Sequence, residues 1–319
     1  MRKVMNVMVV AMLAVPALVL GQAGDVNKVL ADMKAALGGE DKVAAVKSVT
    51  ATGRTLRTNA AGTTSENEFE LAMELPDKYM MRSVLANMGT MSVYRNAGFN
   101  GAGLINLIDQ PPTLGGGGGQ IMVRAVGASS GGAAPSAEQQ AETNRVLLQT
   151  QKREFARLVL GLFGSTYAGY PVEFSYGGEA EAADGKAYVI DVKGEGDFTA
   201  RLFIDAKTNL PLMQSWMALE PLQLTQTINR GGGAGPGQQM SAEEREKMMA
   251  DFEAQRKAAE ANRKMVEYRI YYSNYKAVNG IKLPHTLQRS IAGKPTEEMT
   301  FEQFRINPKI DARKFEVTK

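Results

Sequence analysis

The chain has 319 residues, a formal net charge of +3 and an apolar content of 44%, which is normal for a globular protein. It contains no Cys and a single His, so disulfides, thiolate chemistry and most metal or Ser-His catalytic sites are excluded. The near-neutral charge does not indicate the basic patch that a nucleic-acid surface needs, and no nucleic-acid partner is expected.

The first 23 residues have the order of a secretory signal peptide. A cationic start at Arg2 and Lys3 is followed by an apolar run over residues 4–20 and then by small and polar residues. We expect cleavage after Gly21 or Ala23 and export to the periplasm. Because no Cys follows the cut, no lipid anchor is expected. The apolar run is slightly short for a spanning helix, and an uncleaved anchor is the alternative.

The first predicted element of the exported chain is a helix. Apolar residues recur at helical spacing over residues 25–37, with Asp25 as N-cap and Gly38-Gly39 as the stop. Alternating segments bounded by turn residues then predict antiparallel strands. These strands are expected at 46–57, 66–75, 78–85 and 90–95. We expect the strand pattern to break at about Gly98.

Two Gly-rich insertions interrupt the chain. Residues 111–135 include five consecutive glycines and cannot bury enough apolar surface to order themselves, so they predict a mobile loop. A helix is expected next, over 136–163, where Ser136 and Gln139 have the spacing of a capping box. The second insertion, 230–264, combines a Gly-rich front with a charged helix of narrow apolar stripe.

The remaining segments complete an antiparallel α+β pattern. Further strands are predicted at 172–176, 186–192, 197–205, 212–219, 222–228, 265–275, 281–290 and 297–305. About ten strands, two or three helices and no βαβ rhythm favour an antiparallel sheet over a parallel one. We interpret residues 24–319 as a single domain carrying the two insertions.

Several stretches carry a resemblance to a known family. They are Ala35–Gly39, Val43–Val49, Glu74–Tyr79, Phe203–Leu212, Tyr275–Pro284, Phe304–Pro308 and Phe315. Together they resemble the outer-membrane lipoprotein-sorting, LolA/LolB-like family of periplasmic carriers. The resemblance implies a strongly curved antiparallel sheet, a half-open β-barrel, with helices covering its mouth. The classical carriers are much shorter and lack the two Gly-rich insertions.

The resemblance implies a non-enzymatic function. The expected activity is binding or carriage of a hydrophobic ligand, a lipid or the acyl chains of a lipoprotein, in transport for outer-membrane biogenesis. No cofactor is expected, whereas an envelope protein partner and peripheral membrane contact stay open. The alternative is an envelope structural or interaction module whose half-barrel is filled by its own side chains and takes no ligand.

Apolar and aromatic side chains are the candidate lining of the ligand site. Tyrosines crowd the strand predicted at 265–275, and because adjacent residues point to opposite faces, at most half of them can face the interior. An ordinary sheet core is the alternative interpretation of the same residues. The candidate lining consists of Phe69, Leu71, Met73, Leu158, Leu162, Phe203, Trp216, Tyr268, Tyr272 and Phe301.

No catalytic residue and no metal site is predicted. Residues 127–131 match the letters of the G-x-S-x-G motif of hydrolases, but their flanks are Gly-rich instead of a strand and a helix. His285 lacks an evident partner for general-base catalysis. The 18 Met residues are scattered, which favours packing over a copper site.

Overall fold

The computed structural model describes residues 25–58, 62–88, 91–109, 136–182, 185–222 and 242–317. The predicted signal peptide, the first Gly-rich insertion and the Gly-rich front of the second lie outside these residues, as does most of the strand expected at 222–228. The helices are α1 (Val26–Leu37), α2 (Glu40–Ala44), α3 (Ala137–Phe163) and α4 (Ala242–Ala261), with a short 3-10 helix at Ala312–Phe315. The strands are β1 (Ser48–Thr58), β2 (Thr64–Glu74), β3 (Lys78–Met88), β4 (Met91–Asn100), β5 (Gly103–Asp109), β6 (Val172–Ala182), β7 (Gly185–Gly194), β8 (Thr199–Asp205), β9 (Pro211–Leu219), β10 (Met265–Val278), β11 (Ile281–Ile291) and β12 (Lys294–Ile306).

All twelve described strands join one open sheet. Their order is β5-β4-β3-β2-β1-β12-β11-β10-β9-β8-β7-β6, and every neighbouring pair is antiparallel. The predicted antiparallel α+β class is therefore confirmed. Because the N-terminal strands pair with the C-terminal strand β12, the second half of the chain joins the same sheet as the first.

The sequence signals at the helix ends are confirmed. The Asp25 side chain accepts hydrogen bonds from the backbone N–H groups of Asn27 and Lys28 at the start of α1. At the start of α3, Ser136 and Gln139 form the predicted capping box, so two otherwise unpaired donors are satisfied.

The strand break expected at Gly98 is wrong. Strand β4 continues through this residue to Asn100, and β5 follows it. A Cβ atom at position 98 would lie 2.0 Å from the carbonyl oxygen of Tyr79, so a close approach of neighbouring backbones explains the glycine. The short helix α2 was also not predicted.

The sheet curves around α3. The ring of Phe155 on α3 lies 5.4 Å from that of Phe99 on β4, while Arg157, two residues later, lies 4.3 Å from the ring of Trp216 on β9. These strands are seven positions apart in the sheet, which is on the order of 34 Å along a flat surface. Side chains from one helical turn reach both strands only because the sheet bends.

Each face of the sheet has its own apolar core. The larger core lies between α1, α3 and the face that includes Leu71, Leu202 and Tyr272, which we call the concave face. On the opposite, convex face a smaller cluster is covered by the C-terminal segment. It consists of Ala72, Met80, Ile105, Ile310 and Phe315.

Candidate functional site

The structure brings most of the predicted lining residues to the concave face. The strand residues among them that face this side are Phe69, Leu71, Met73, Trp216, Tyr268, Tyr272 and Phe301, and all but the half-buried Tyr268 are buried. Leu158 and Leu162 lie on α3, where Leu162 is buried and Leu158 is half-buried. As expected from alternation along β10, Tyr268 and Tyr272 share a face and Tyr271 points away.

Phe203 lies on the other side of the sheet. Its neighbours Leu202 and Ile204 are fully buried in the core of the concave face, whereas Phe203 pairs with Val189 and Met213 on the convex face. Successive side chains of a strand point to opposite faces, so Phe203 does not contribute to the concave face.

One half of α3 packs on the apolar concave face. Residues 137–152 of this helix are exposed or half-buried, whereas most of residues 155–163 are buried. We call residues 154–163 the buried half of α3. This half places side chains where a ligand of the concave face would lie, so the described part of the face is filled.

Aromatic rings form the centre of this contact. The ring of Phe155 stacks on Tyr79 at 4.9 Å and meets the edge of Phe99 at 5.4 Å, and Tyr167 lies 4.8 Å from it. Tyr170 continues the row toward Phe198. Such pairs add about 0.5–1.5 kcal/mol each beyond the buried area, so they hold the helix on the face.

Five charged residues form an ionic cluster at the same contact. The Glu154 carboxylate on α3 lies 3.1 Å from Arg157 of the same helix and 3.0 Å from Arg289 on β11. Arg289 in turn lies 3.4 Å from Glu297, which pairs with Arg57 at 2.6 Å. The cluster therefore connects the helix with three neighbouring strands, β11, β12 and β1.

The environment of the ionic cluster shifts the pKa values of its members. Burial disfavours the charged form of Glu154, but Arg289 and Arg157 outweigh it, and the pKa of the carboxyl is lowered. Burial lowers the pKa of Arg157, although Glu154 opposes this shift. Burial also disfavours the charged form of Arg289, but the charges of Glu154 and Glu297 outweigh this effect and raise the pKa of Arg289. The ion pairs therefore favour the charged forms of Glu154 and Arg289, and Arg157 keeps its charge because a guanidinium is not deprotonated in proteins.

Arg157 is held by aromatic and backbone contacts. Its guanidinium lies 4.3 Å from the ring of Trp216 and 4.9 Å from that of Phe198, and both contacts are cation–π interactions. The amide of Gln214 donates a hydrogen bond to the backbone carbonyl of Arg157. A Cβ atom at Gly161 would lie 2.1 Å from the hydroxyl of Tyr272, so the helix approaches β10 closely only because this residue is glycine.

The ionic cluster was not predicted from the sequence. The feature of the sequence that could have indicated the cluster is the occurrence of Glu154 and Arg157 among the otherwise apolar last ten residues of the helix. Charged residues at buried helix positions are rare unless they are paired, which indicates a partner on the sheet. Sequence alone does not identify that partner, because Arg289 is 132 positions farther along the chain than Arg157.

Other candidate sites have a structural role or lie elsewhere. The buried imidazole of His285 contacts the carbonyl oxygen of Phe301 through Nδ1 at 2.8 Å. A surface hollow of about 550 Å³ opens on the convex side, where Asp191, Arg201 and Met217 contribute to its lining. Within the described residues, no group of three or more His, Cys, Asp or Glu is arranged to hold a metal ion. None of the described helices is long and apolar enough to cross a membrane.

Proteins from three organisms are among the solved structures with a similar chain path. A DUF1329 family protein from Desulfovibrio piger has 10% identity and a TM-score of 0.46, covering 92% of this chain and 98% of that one. A LolA superfamily protein from Nitrosomonas europaea has 7% identity, the same coverage and a TM-score of 0.46. An outer-membrane lipoprotein-sorting protein domain from Vibrio parahaemolyticus has 8% identity and a TM-score of 0.41, covering 90% of this chain and 94% of that one.

The solved structures with a similar chain path thus include a lipoprotein-sorting protein domain and a LolA superfamily protein, the group that the sequence resembles. No protein-family model and no curated protein sequence matches the chain. With sequence identities of 7–10%, the likeness concerns the path of the chain and not its functional residues.

Proposed function

We propose that this protein is a non-enzymatic periplasmic carrier or sensor that binds a hydrophobic, acyl-bearing ligand on the concave face of its sheet. In the ligand-free form, the buried half of α3 occupies the place of the ligand. The observation that supports this proposal is the packing of half of one helix on a curved apolar face, while the other half is exposed or half-buried.

The position of α3 along the chain allows the helix to detach from the concave face and to bind to it again. The 26 residues 110–135, which include five consecutive glycines, separate β5 from the start of the helix. At the other end, Gly164 adopts a positive φ of 63° directly after the helix. Displacement of α3 therefore requires no rearrangement of the strand order.

Burial of the α3 side chains and burial of an acyl chain on the concave face contribute free energies of similar size. Burying a large apolar side chain contributes about 1.5–3 kcal/mol, so Phe155, Val159, Leu160 and Leu162 together contribute roughly 6–12 kcal/mol. An acyl chain of about a dozen carbons contributes on the order of 10 kcal/mol before ordering costs, at roughly 0.8 kcal/mol for each buried CH₂. An acyl ligand can therefore replace the helix without a large change in stability.

The N-terminal segment supports export of such a carrier. Its cationic start, apolar run and small residues have the order of a signal peptide, and binding of an acyl ligand would serve transport in the envelope. Under this proposal, the mature carrier is a single domain that contains the two insertions.

Thiol labelling tests the displacement of α3. Because the chain has no Cys, Leu162→Cys introduces a single thiol in the buried half of α3, at a position where the leucine is 1% exposed. Palmitate should accelerate the reaction of this thiol with a maleimide dye at least severalfold. Ile105→Cys, equally buried on the convex face, is the matched control and should not change.

A second candidate function is an envelope interaction module with a filled core. The packing of the concave face favours it, because Phe99, Phe155, Leu160 and Leu162 leave the described interior occupied. In that case palmitate neither binds nor changes the labelling of Leu162→Cys. Deleting residues 230–264 should then abolish capture of an envelope partner, whereas a ligand carrier retains palmitate binding after the deletion.

A further inference from the structure

The ionic cluster separates into a helix part and a sheet part with different net charges. Glu154 and Arg157 both belong to α3 and pair with each other at 3.1 Å, so this part is neutral. Arg57, Arg289 and Glu297 belong to the sheet and sum to one positive charge, +1 +1 −1. When α3 leaves, Glu154 and Arg157 depart as a pair, and the sheet retains one uncompensated positive charge at Arg289.

One further hydrogen-bond donor, the hydroxyl of Tyr272, lies near Arg289. The hydroxyl of Tyr272, which is 4% exposed, has no hydrogen-bond partner within the described ranges. Tyr272 lies on the adjacent strand β10 and interacts electrostatically with both Arg289 and Glu154. A buried polar group without a partner is unfavourable, so a ligand that accepts from it gains affinity.

Glu154 and the apolar residues after it have the chemical form of an anionic amphiphile. The carboxylate contacts Arg289 at 3.0 Å, and Phe155 directly follows it into the aromatic contact with Tyr79 and Phe99. Arg289 therefore already binds a carboxylate at the rim of an apolar face. A fatty acid or an acyl phosphate ester presents the same sequence of groups, an anionic head and then an apolar chain.

We infer that Arg289 recognises the anionic headgroup, a carboxylate or a phosphate, of the acyl ligand, and that Glu154 is the internal group that takes its place in the ligand-free protein. This inference rests on the proposed function, because it assigns the headgroup of the same ligand. Arginine suits both headgroups, since its planar fork can donate two parallel hydrogen bonds.

Calorimetric titration with three probes of equal acyl length tests the inference. The probes are dodecanoate, dodecyl phosphate and the neutral ester monolaurin, each below its micellar concentration. The signal-free protein should bind at least one of the two anions roughly tenfold more tightly than monolaurin, because charge-assisted hydrogen bonds are the stronger kind. Preference for one anion over the other identifies the headgroup as carboxylate or phosphate.

Three variants assign the preference to Arg289. Arg289→Gln should bind the anion no more tightly than monolaurin, while Arg289→Lys, which keeps the charge, should retain part of the preference. Glu154→Gln should bind the anions more tightly than the unaltered chain, since the internal competitor is removed. Arg54→Gln is the matched control, because Arg54 pairs with Glu66 and Glu302 on the convex face.

The outcomes separate the inference from the proposed function. Equal binding of all three probes, or an unchanged preference in Arg289→Gln, overturns the headgroup assignment and leaves the acyl carrier intact. Failure of every probe to bind both the unaltered chain and Glu154→Gln overturns the proposed function, and the assignment with it.

Discussion

Helices α3 and α4 share a sequence context and differ in what they contact. Each follows a Gly-rich segment, at 111–119 and 231–237 respectively, and each is long. The buried half of α3 packs on the concave face, whereas the described side chains of α4 are exposed except for the half-buried Ala259. Among its described side chains, Lys257 and Arg256 pair with Glu253 and Glu260 of the same helix. A Gly-rich segment before a helix therefore does not determine whether the helix belongs to the core.

Apolar content accounts for the difference. In the buried half of α3, every residue except Glu154, Arg157 and Gly161 is apolar with a side chain, so this half is apolar around most of its circumference. A helix of that kind has to be buried. In α4 charged residues recur over its whole length, so its solvation in water is favourable without any partner. The comparison predicts large effects for substitutions in α3 and small ones for changes in α4.

The largest expected effect is that of Phe155→Ala. This ring is fully buried and contacts Tyr79, Phe99 and Tyr167, so its removal should lower the free energy of unfolding by about 3–5 kcal/mol. Urea unfolding monitored by tryptophan fluorescence measures the change, because Trp216 lies at the same contact. A loss below about 1 kcal/mol would show that α3 does not contribute to the core.

Glu154→Gln has the next largest expected effect. It leaves Arg157, which is 9% exposed, without its carboxylate partner. Breaking a fully buried pair costs about 3–5 kcal/mol, but the Glu154 side chain is 31% exposed, so solvent screening reduces the expected loss to about 1–2 kcal/mol. Chemical denaturation at neutral pH measures it, with Glu142→Gln on the exposed half of α3 as control.

The same variant isolates a pH dependence. The pKa of Glu154 in the folded protein is lowered below 4.5, so its ion pairs stabilise the fold above that value. This contribution is lost as the pH falls through the lowered pKa. The stability difference between the unaltered chain and Glu154→Gln should therefore be constant from pH 6 to about pH 5 and shrink below about pH 4. A difference that grows on acidification would contradict the assignment of Glu154 as a stabilising carboxylate.

Local sequence patterns predicted most strands of the sheet and the starts of α1 and α3. They did not predict contacts between residues that are far apart in the sequence. Alternation placed Leu71 and Tyr272 on one face, and the spacing of Ser136 and Gln139 located the start of α3. The strand break predicted at Gly98 is wrong, because the sequence alone does not distinguish a glycine in a closely approaching strand pair from a glycine in a turn. The pair of Glu154 and Arg289 joins α3 to β11, and the periodicity of a helix or a strand does not indicate such a contact.

The smallest expected effect is that of removing α4. Replacing residues 242–261 by a short Gly/Ser linker removes a helix that buries almost none of its described side chains, so the free energy of unfolding should change by less than about 0.5 kcal/mol. Far-ultraviolet circular dichroism should lose helical signal, while the urea midpoint stays constant. The matched comparison is a chain in which residues 137–152, the exposed half of α3, are shortened by the same procedure. A large destabilisation on removing α4 would mean that this helix packs on the sheet, contrary to the exposure of its described side chains.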